Sequence, residues 1–260
     1  MKPKGFSLLE MIGVMAVMAI MAGALAPSVF QLIEEGYQDA EEQSLKTIAQ
    51  ALERSISNRK VIPTQNVNDW SNVVADYASL PPQRVSANDK HFSRRMYADP
   101  MFFNTSNQNF AGYSQTQGLV VAPHSPRLML VSSLIGNVST NLTTHAQFSD
   151  VWEQTADAQI VESKTLKIER INLNSLFVRV VLTNASTQQT GFALEGATEG
   201  AIAANSSGVD GARSIYVLAG THVVLNAAPY PGGTGLRQFI VRDQKSLRYE
   251  LQGSAWTWVE

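Results

Sequence analysis

The chain has 260 residues, a formal net charge of -2 at pH 7 and a hydrophobic content of 44%. This length and composition predict one or two globular domains. The sequence lacks the basic excess that is typical of nucleic-acid binders. It also lacks an acidic tract of the kind that forms a solvating tail. Cysteine is absent, which excludes disulfides and thiolate metal sites.

The N-terminal part contains a stretch without charged side chains, from residue 11 to residue 33. Since about 20 apolar residues span a bilayer as a helix, this stretch predicts a transmembrane helix. Lys2 and Lys4 precede it, and Glu34 and Glu35 follow it. By the positive-inside rule we expect a cytoplasmic N-terminus and an exported remainder.

Three interpretations of this stretch compete. Ala24-Leu25-Ala26 resembles the cleavage site of a secretory signal, but Pro27 would directly follow the cut, and the apolar run exceeds that of a normal signal. A plain single-pass anchor accounts for the hydropathy alone. The third interpretation depends on Glu10, which lies four residues into the apolar block that starts at Phe6. A carboxylate at that depth is costly unless it is paired, so it indicates a function.

Glu10 needs a cationic partner. Lys2 and Lys4 are nearby in sequence, but they lie at the membrane surface. Cleavage between Gly5 and Phe6 would create another cation, the amine of Phe6. In an array of parallel helices, Glu10 of one subunit would then pair with the Phe6 amine of its neighbour.

The sequence Lys4-Gly5-Phe6-Ser7-Leu8-Leu9-Glu10 closely resembles the leader and cleavage site of type IV prepilins and of type II secretion pseudopilins. The resemblance implies that a prepilin peptidase cleaves between Gly5 and Phe6 and methylates the Phe6 amine. It also implies that Glu10 is the assembly residue and that Pro27 is a helix-bending proline. The partners that it implies are the peptidase, other pilin subunits, an inner-membrane assembly platform and, before assembly, membrane lipid.

The resemblance further implies an α+β fold, in which a long N-terminal helix packs on an antiparallel β-sheet head. The expected regions are a leader (1–5), a transmembrane and assembly helix (6–33), its amphipathic continuation (34–58), a loop-rich part of the head (59–150) and a β-rich part (151–260). The continuation is independently predicted by apolar residues at three- and four-residue spacing, and Pro63 blocks further extension. These apolar residues are Leu45, Ile48, Ala49, Leu52 and Ile56.

The loop-rich part contains one predicted short helix. Asn68-Asp69 is expected to cap it and Pro81-Pro82 to end it. The residues expected on its apolar side are Trp70, Val73, Val74 and Tyr77. Aromatic residues farther along are expected to form local core rather than a binding platform; these are Tyr97, Phe102, Phe103, Phe110 and Tyr113. Two strands are predicted, Leu119 to Ala122 and Leu128 to Leu134.

The β-rich part is read as a series of strands and turns. A hairpin is expected around Asn172-Leu173-Asn174 and another around Gly253-Ser254, where both Trp256 and Trp258 would face one side. The glycine- and alanine-rich stretch from residue 191 to residue 211 is expected to be a surface loop. The predicted strands are Leu166–Ile171, Leu176–Leu182, Ile215–Leu218, Thr221–Leu225, Phe239–Val241, Leu247–Leu251 and Ala255–Val259.

No sequence pattern indicates catalysis, a cofactor or a metal ion. The histidines, His91, His124, His145 and His222, are scattered, and nucleophile-elbow, zinc-protease and P-loop motifs are absent. The segment Asn205–Gly211 is rich in oxygen ligands. It lacks a dense set of carboxylates, which favours a plain turn over a calcium site.

These features predict a structural filament subunit without enzymatic activity, held in the bacterial inner membrane until it enters a surface or periplasmic filament. The large head favours a minor or specialised pilin over a major one. Two alternatives stay open: a pseudopilin of a type II secretion system, and a membrane-anchored exported binding module that does not polymerise. Loss of Lys2 and Lys4 on cleavage would change the formal charge from -2 to -2 minus 2, which is -4.

Overall fold

The structure is a computed structural model that describes residues 8–102, 112–116, 118–197, 199–242, 247–252 and 255–259. Its helices are α1 (Leu8–Arg59), α2 (Val67–Ala78), α3 (Pro82–Ser86) and α4 (His145–Glu153), with a 3₁₀ turn at Leu173–Leu176. Its strands are β1 (Val61–Ile62), β2 (Arg95–Ala98), β3 (Tyr113–Ser114), β4 (Arg127–Ser133), β5 (Leu166–Asn172), β6 (Phe177–Asn184), β7 (Thr190–Leu194), β8 (Gly200–Ile202), β9 (Gly211–Leu218), β10 (His222–Asn226), β11 (Gly235–Ile240), β12 (Leu247–Gln252) and β13 (Ala255–Val259).

Helix α1 contains 52 residues and is therefore roughly 78 Å long at 1.5 Å per residue. Within the described residues its first half contains no buried residue, whereas its second half packs on the head. The predicted apolar face of that second half is confirmed, because all five of its residues are buried: Leu45, Ile48, Ala49, Leu52 and Ile56. The helix ends at Arg59, close to the predicted end, since Lys60 adopts a φ of +56° that interrupts helical geometry.

The first core of the head is built around the sheet β2-β4-β5, in which both strand pairs are antiparallel. Alternation along β4 divides its side chains between two layers. Leu128 and Leu130 pack with α1 and α2 on one face, whereas Met129 and Val131 pack with α4 on the other. Both faces of this small sheet are therefore covered, and α1 forms one of the covering layers.

The second core is a β-sandwich of two four-stranded sheets, β13-β12-β6-β9 and β11-β10-β7-β8. Strands β6 and β12 pair in parallel, with Leu247 opposite Val180, and the other pairs in the sandwich are antiparallel. The expected α+β architecture, a long apolar N-terminal helix with antiparallel sheets in the head, is thus confirmed with one parallel pair added.

A polar junction joins the two cores at the C-terminal end of α1. The Lys60 ammonium donates to the Ala219 carbonyl at 2.6 Å and to the carbonyl of Ser57. The Gln115 side chain donates to Thr221 Oγ1 at 2.6 Å and accepts the Leu218 backbone N–H at 2.7 Å. Burial lowers the pKa of Lys60 below its ordinary value of 10.5, and the charge of Glu195 opposes that shift.

An aromatic contact supports the same junction from its apolar side. Phe177, at the start of β6, packs edge-on against two aromatic rings. Its ring centre lies 6.3 Å from that of Phe102 and 6.1 Å from that of Tyr113. Tyr97 and Phe102 are buried, so the expectation of local aromatic core holds for them. Phe103 and Phe110 lie outside the described residues.

Several expected turns and strands are wrong. Strands β5 and β6 form no hairpin, because the 3₁₀ turn between them carries the chain from one sheet to another. Residues 119–122 form no strand; Leu119 makes a single bridge to Tyr216. The N-cap of α2 is Asn66, whose side chain accepts the Asn68 N–H, rather than Asn68-Asp69.

The predicted surface loop from residue 191 to residue 211 is also wrong, since it contains most of β7 and all of β8. Phe192, Leu194 and Ile202 from this segment are fully buried in the sandwich core. The expected hairpin at the C-terminus is confirmed by the pairing of β12 with β13, with Gln252 opposite Ala255. Trp256 is buried there, whereas the side chain of Trp258 lies outside the described residues.

Candidate functional site: the N-terminal helix and its attachment

The first half of α1 presents apolar side chains on every side. From Met11 to Ile33 its large hydrophobic residues are exposed, and an 18-residue window has a mean hydropathy of 2.0 with no buried residue. Water-soluble monomers rarely expose contiguous apolar patches beyond a few hundred Å². This helix is long and apolar enough to cross a membrane, so lipid or other apolar helices are the surroundings that match it.

The residues predicted to direct processing and assembly lie at the start of this helix. Gly5 and Phe6 lie outside the described residues, as does the side chain of Glu10, whose backbone belongs to α1. Glu10 and Pro27 stand 17 residues apart, or roughly 26 Å along the axis. Glu10 therefore stands just before the uncharged span and Pro27 lies within it, so the structure does not bring the two residues together.

Pro27 lies inside α1, and the helix continues through it. Because proline has no N–H, the carbonyl four residues earlier, at Gly23, loses its usual helical partner. The next residue, Ser28, donates from Oγ to the Leu25 carbonyl at 2.8 Å, which adds a local hydrogen bond beside the interruption. The bend expected at Pro27 stays a prediction.

A buried ion pair fixes the second half of α1 to the head. Arg94 donates from Nε to Glu41 Oε1 at 2.7 Å and from Nη2 to Oε2 at 2.6 Å, and both side chains are only 4% exposed. The remaining Arg94 nitrogen, Nη1, donates to the carbonyls of Val85 and Ala87. The pair therefore joins α1, α3 and the entrance to β2 through charge-assisted bidentate bonds.

Sequence reasoning missed this attachment. Glu41 lies four residues before Leu45, at a position that continues the apolar face of α1. A carboxylate in such a position needs a buried cationic partner, so the spacing contained a signal. The identity of Arg94 as that partner did not follow from the sequence, because the two residues are 53 positions apart.

The histidines form no metal centre. Among the described residues, no group of three or more histidine, aspartate and glutamate side chains is placed to hold a metal ion. His145 Nδ1 lies 2.7 Å from Asp99 Oδ1, and the His124 ring lies 5.6 Å from that of His145. Arg127 also contacts Asp99, at 3.4 Å, so the Arg127 guanidinium and the His145 ring at the start of α4 both contact this fully buried carboxylate, which directly follows β2.

The segment Asn205–Gly211 is a tight turn. Ser206 and Val209 exchange backbone hydrogen bonds, and Asn205 Nδ2 donates to Asp210 Oδ1 at 2.5 Å. The single carboxylate of this turn is therefore already engaged by a neighbouring amide.

Comparison with known proteins supports the interpretation of the N-terminus. Residues 1–26 match the family model of the prokaryotic N-terminal methylation motif. No curated protein matches the chain. A crystal structure from Bacteroides fragilis, described as a candidate cell adhesion protein, aligns over 66% of this chain and 78% of its own at 10% identity, with a TM-score of 0.24, which is too low to establish a shared fold.

The matched segment contains the predicted cleavage site, Glu10 and most of the apolar span. In general, this motif implies processing by a prepilin peptidase and assembly with other pilin subunits. The motif therefore supports a class III leader of the prepilin type, and the chain that follows it has an α+β head.

Proposed function

We propose that the chain is a structural subunit of a type IV pilus-like filament and that it has no catalytic activity of its own. One observation carries this proposal: a methylation motif runs directly into an apolar helix whose first half is unburied, and whose second half is locked into the head. Such a helix can leave lipid for a bundle of identical helices without changing the head.

A minor or specialised role is favoured by the two cores of the head. The first core packs against the second half of α1, whereas the sandwich joins at the C-terminal end of α1, remote from the membrane span. The sandwich thus adds a second hydrophobic core to the head, beyond the first core that packs on α1. A subunit of this size suits a special position in a filament better than repeated packing along it.

Glu10→Ala tests the assembly mechanism. We expect the variant to insert in the membrane and to be cleaved normally, but to be strongly depleted from filaments, because the Phe6 amine of a neighbour loses its partner. The measurement is the amount of the chain in sheared filaments, by immunoblot and electron microscopy, relative to the amount in membranes. Glu35→Ala, outside the apolar span, is the matched control. Normal incorporation of the Glu10 variant would contradict charge pairing.

Mass spectrometry of the N-terminal peptide separates a filament subunit from a membrane-anchored binding module. A methylated Phe6 is expected in the mature chain, and Gly5→Ala should leave the leader attached and stop assembly. An intact N-terminus in the wild-type chain would favour the binding module. The site of the filament, at the cell surface or in the periplasm, then distinguishes a pilus from a secretion pseudopilus.

A further inference from the structure

Three loops of the first core lie at the end nearest the membrane span. Contacts with α1 show that this end of the core lies near the membrane span. The Lys90 ammonium lies 5.1 Å from the centre of the Tyr37 ring, and Arg94 binds Glu41. Lys167 Nζ lies 3.5 Å from Glu42 Oε2. Strand β4 runs antiparallel to β5, so its last residues, next to Leu166, lie at the same end. The loops of this end contain residues 88–93, 134–140 and 159–165.

Hydrogen bonds tie these loops into one surface. Asn88 Nδ2 donates to the Ser133 carbonyl at 2.8 Å, and the Ser93 N–H donates to Asn137 Oδ1 at 2.7 Å. The Leu134 N–H donates to the Thr165 carbonyl at 2.7 Å, which attaches the third loop. These hydrogen bonds hold the three loops together as one continuous surface of the head.

This surface exposes apolar side chains. Ile135 is 73% exposed and Val161 is 63% exposed, and both line a groove of about 390 Å³ between their loops. Two lysines, Lys90 and Lys164, lie in the same loops, and neither takes part in an ion pair within the described part of the chain. We call these four residues, Lys90, Ile135, Val161 and Lys164, the proximal face.

The distance along α1 places the proximal face near the lipid headgroups. Tyr37, which contacts Lys90, lies only four residues beyond Ile33, the last residue of the uncharged span. Four residues correspond to roughly 6 Å of helix. The headgroup region adds roughly 5 to 8 Å to each side of the hydrocarbon core, so the lower end of the head meets it when α1 spans the membrane.

We propose that the proximal face is a membrane-contact surface, which rests on the phospholipid headgroups while the subunit is anchored and before it assembles. Ile135 and Val161 match the boundary between headgroups and acyl chains, as apolar residues of interfacial segments do. Lys90 and Lys164 match the lipid phosphates with their ammonium groups, while their stems stay near the apolar surface. The inference depends on α1 as a membrane anchor, but not on polymerisation.

The absence of cysteine makes a direct test possible with the full chain. Ile135→Cys and Val161→Cys are labelled with an environment-sensitive fluorophore and reconstituted at high lipid-to-protein ratio into vesicles of phosphatidylcholine and phosphatidylglycerol. We expect a blue shift of emission and strong quenching by headgroup nitroxide lipid. Val209→Cys is the matched control, because Val209 is 72% exposed in the turn before β9, at the far end of the sandwich. Its label should keep water-like, unquenched emission.

Two results would overturn the inference. In the first, the labels at residues 135 and 161 behave like the label at residue 209. In the second, their blue shift appears only when the protein density in the vesicles is raised, which would assign the face to a neighbouring subunit. Vesicle flotation distinguishes failure of the proposed function from failure of this inference. A chain that does not float with the vesicles refutes the membrane anchoring that the proposed function requires. A chain that floats but keeps unquenched labels refutes only the membrane contact of the proximal face.

The lysines provide a second readout. With the label at residue 135, Lys90→Gln combined with Lys164→Gln should lower quenching in vesicles that contain phosphatidylglycerol and have little effect in pure phosphatidylcholine. Lys46→Gln, on the exposed side of α1, is the control substitution. Equal quenching of the double variant and the control in anionic vesicles would contradict the role of the two ammonium groups.

Discussion

At the residue scale, the ion pair between Glu41 and Arg94 fixes α1 to the head. Both side chains are taken out of water, and their opposed charges and bidentate geometry compensate for that loss only while both are present. By contrast, Glu42 and Lys46, which are one helical turn apart on α1, form an ion pair that is exposed to solvent. The two pairs use the same chemistry, but only the buried one should determine stability.

Arg94→Ala is expected to lower the free energy of unfolding of the head by about 3 to 5 kcal/mol, because it leaves the Glu41 carboxylate buried without a cation. Chemical unfolding of the detergent-solubilised chain, followed by tryptophan fluorescence, measures the change. Lys46→Ala is the control and should have no measurable effect. A double replacement, Glu41→Met with Arg94→Met, should recover much of the loss. Equal effects of the Arg94 and Lys46 variants would contradict the importance of burial.

Tyr113 gives a pH-dependent prediction. Burial raises the pKa of its hydroxyl to about 12, whereas an unfolded tyrosine titrates near 10. The folded state thus retains the phenol proton longer, so the stabilisation is present below pH 10 and is lost as the pH rises from about 10 through 12. Relative to Tyr113→Phe, the wild-type chain should lose about 2 to 3 kcal/mol of unfolding free energy across this window.

Unfolding titrations of both chains at pH 7 and at several values above 10 test this difference. The comparison at pH 7 measures the packing effect of the hydroxyl alone. Burial also raises the pKa of Tyr97, but that residue is present in both chains and its contribution cancels. Parallel pH profiles of the wild-type chain and the variant would show that Tyr113 does not carry the effect.

At the scale of elements, α1 consists of two halves with different requirements. Leu52 is fully buried against the first core, whereas Leu32 is exposed in the apolar span. Leu52→Ala should lower the unfolding free energy of the head by about 2 to 5 kcal/mol, from lost transfer energy and a cavity. Leu32→Ala removes the same atoms and should leave head unfolding unchanged. Similar destabilisation by both substitutions, in the same fluorescence assay, would contradict this division of the helix.

The sequence was informative about α1 because its signals are local. The charge-free run and the spacing of Leu45, Ile48 and Leu52 depend only on helical periodicity, and both agree with the structure. The predicted roles of Gly5, Phe6 and Glu10 depend on processing and on neighbouring subunits. They therefore stay predictions that a single chain does not test.

Strand pairing was less accessible because a turn does not specify which sheet receives the next strand. The turn at Asn172–Asn174 was expected to reverse the chain within one sheet, yet it connects two cores. The prediction of a loop from residue 191 to residue 211 fails for a related reason. A Cβ on Gly200 would lie 2.7 Å from the Phe192 ring, so this glycine permits close packing of β8 rather than a flexible turn.

At the scale of the whole molecule, the head is two cores joined by few residues. The first core holds α1, and the sandwich is reached through the 3₁₀ turn, the Phe177 contact and the Lys60–Gln115 junction. Gln115 bonds to both sides, since its backbone N–H donates to the Lys60 carbonyl at 3.1 Å while its side chain binds Thr221 and Leu218. Among the described residues these contacts link the sandwich to the core that holds α1, so they transmit mechanical load between the sandwich and the anchor.

Gln115→Ala should therefore weaken the coupling between the cores more than either core itself. It leaves the buried N–H of Leu218 without its acceptor, at a cost of about 1 to 3 kcal/mol. Amide hydrogen exchange should accelerate first in β9 and β10, next to the junction, while the buried face of α1 keeps its protection. Gln188→Ala, in the exposed turn after β6, should change neither region. Uniform acceleration in both cores would mean that the head unfolds as one cooperative unit, with the junction inseparable from the rest.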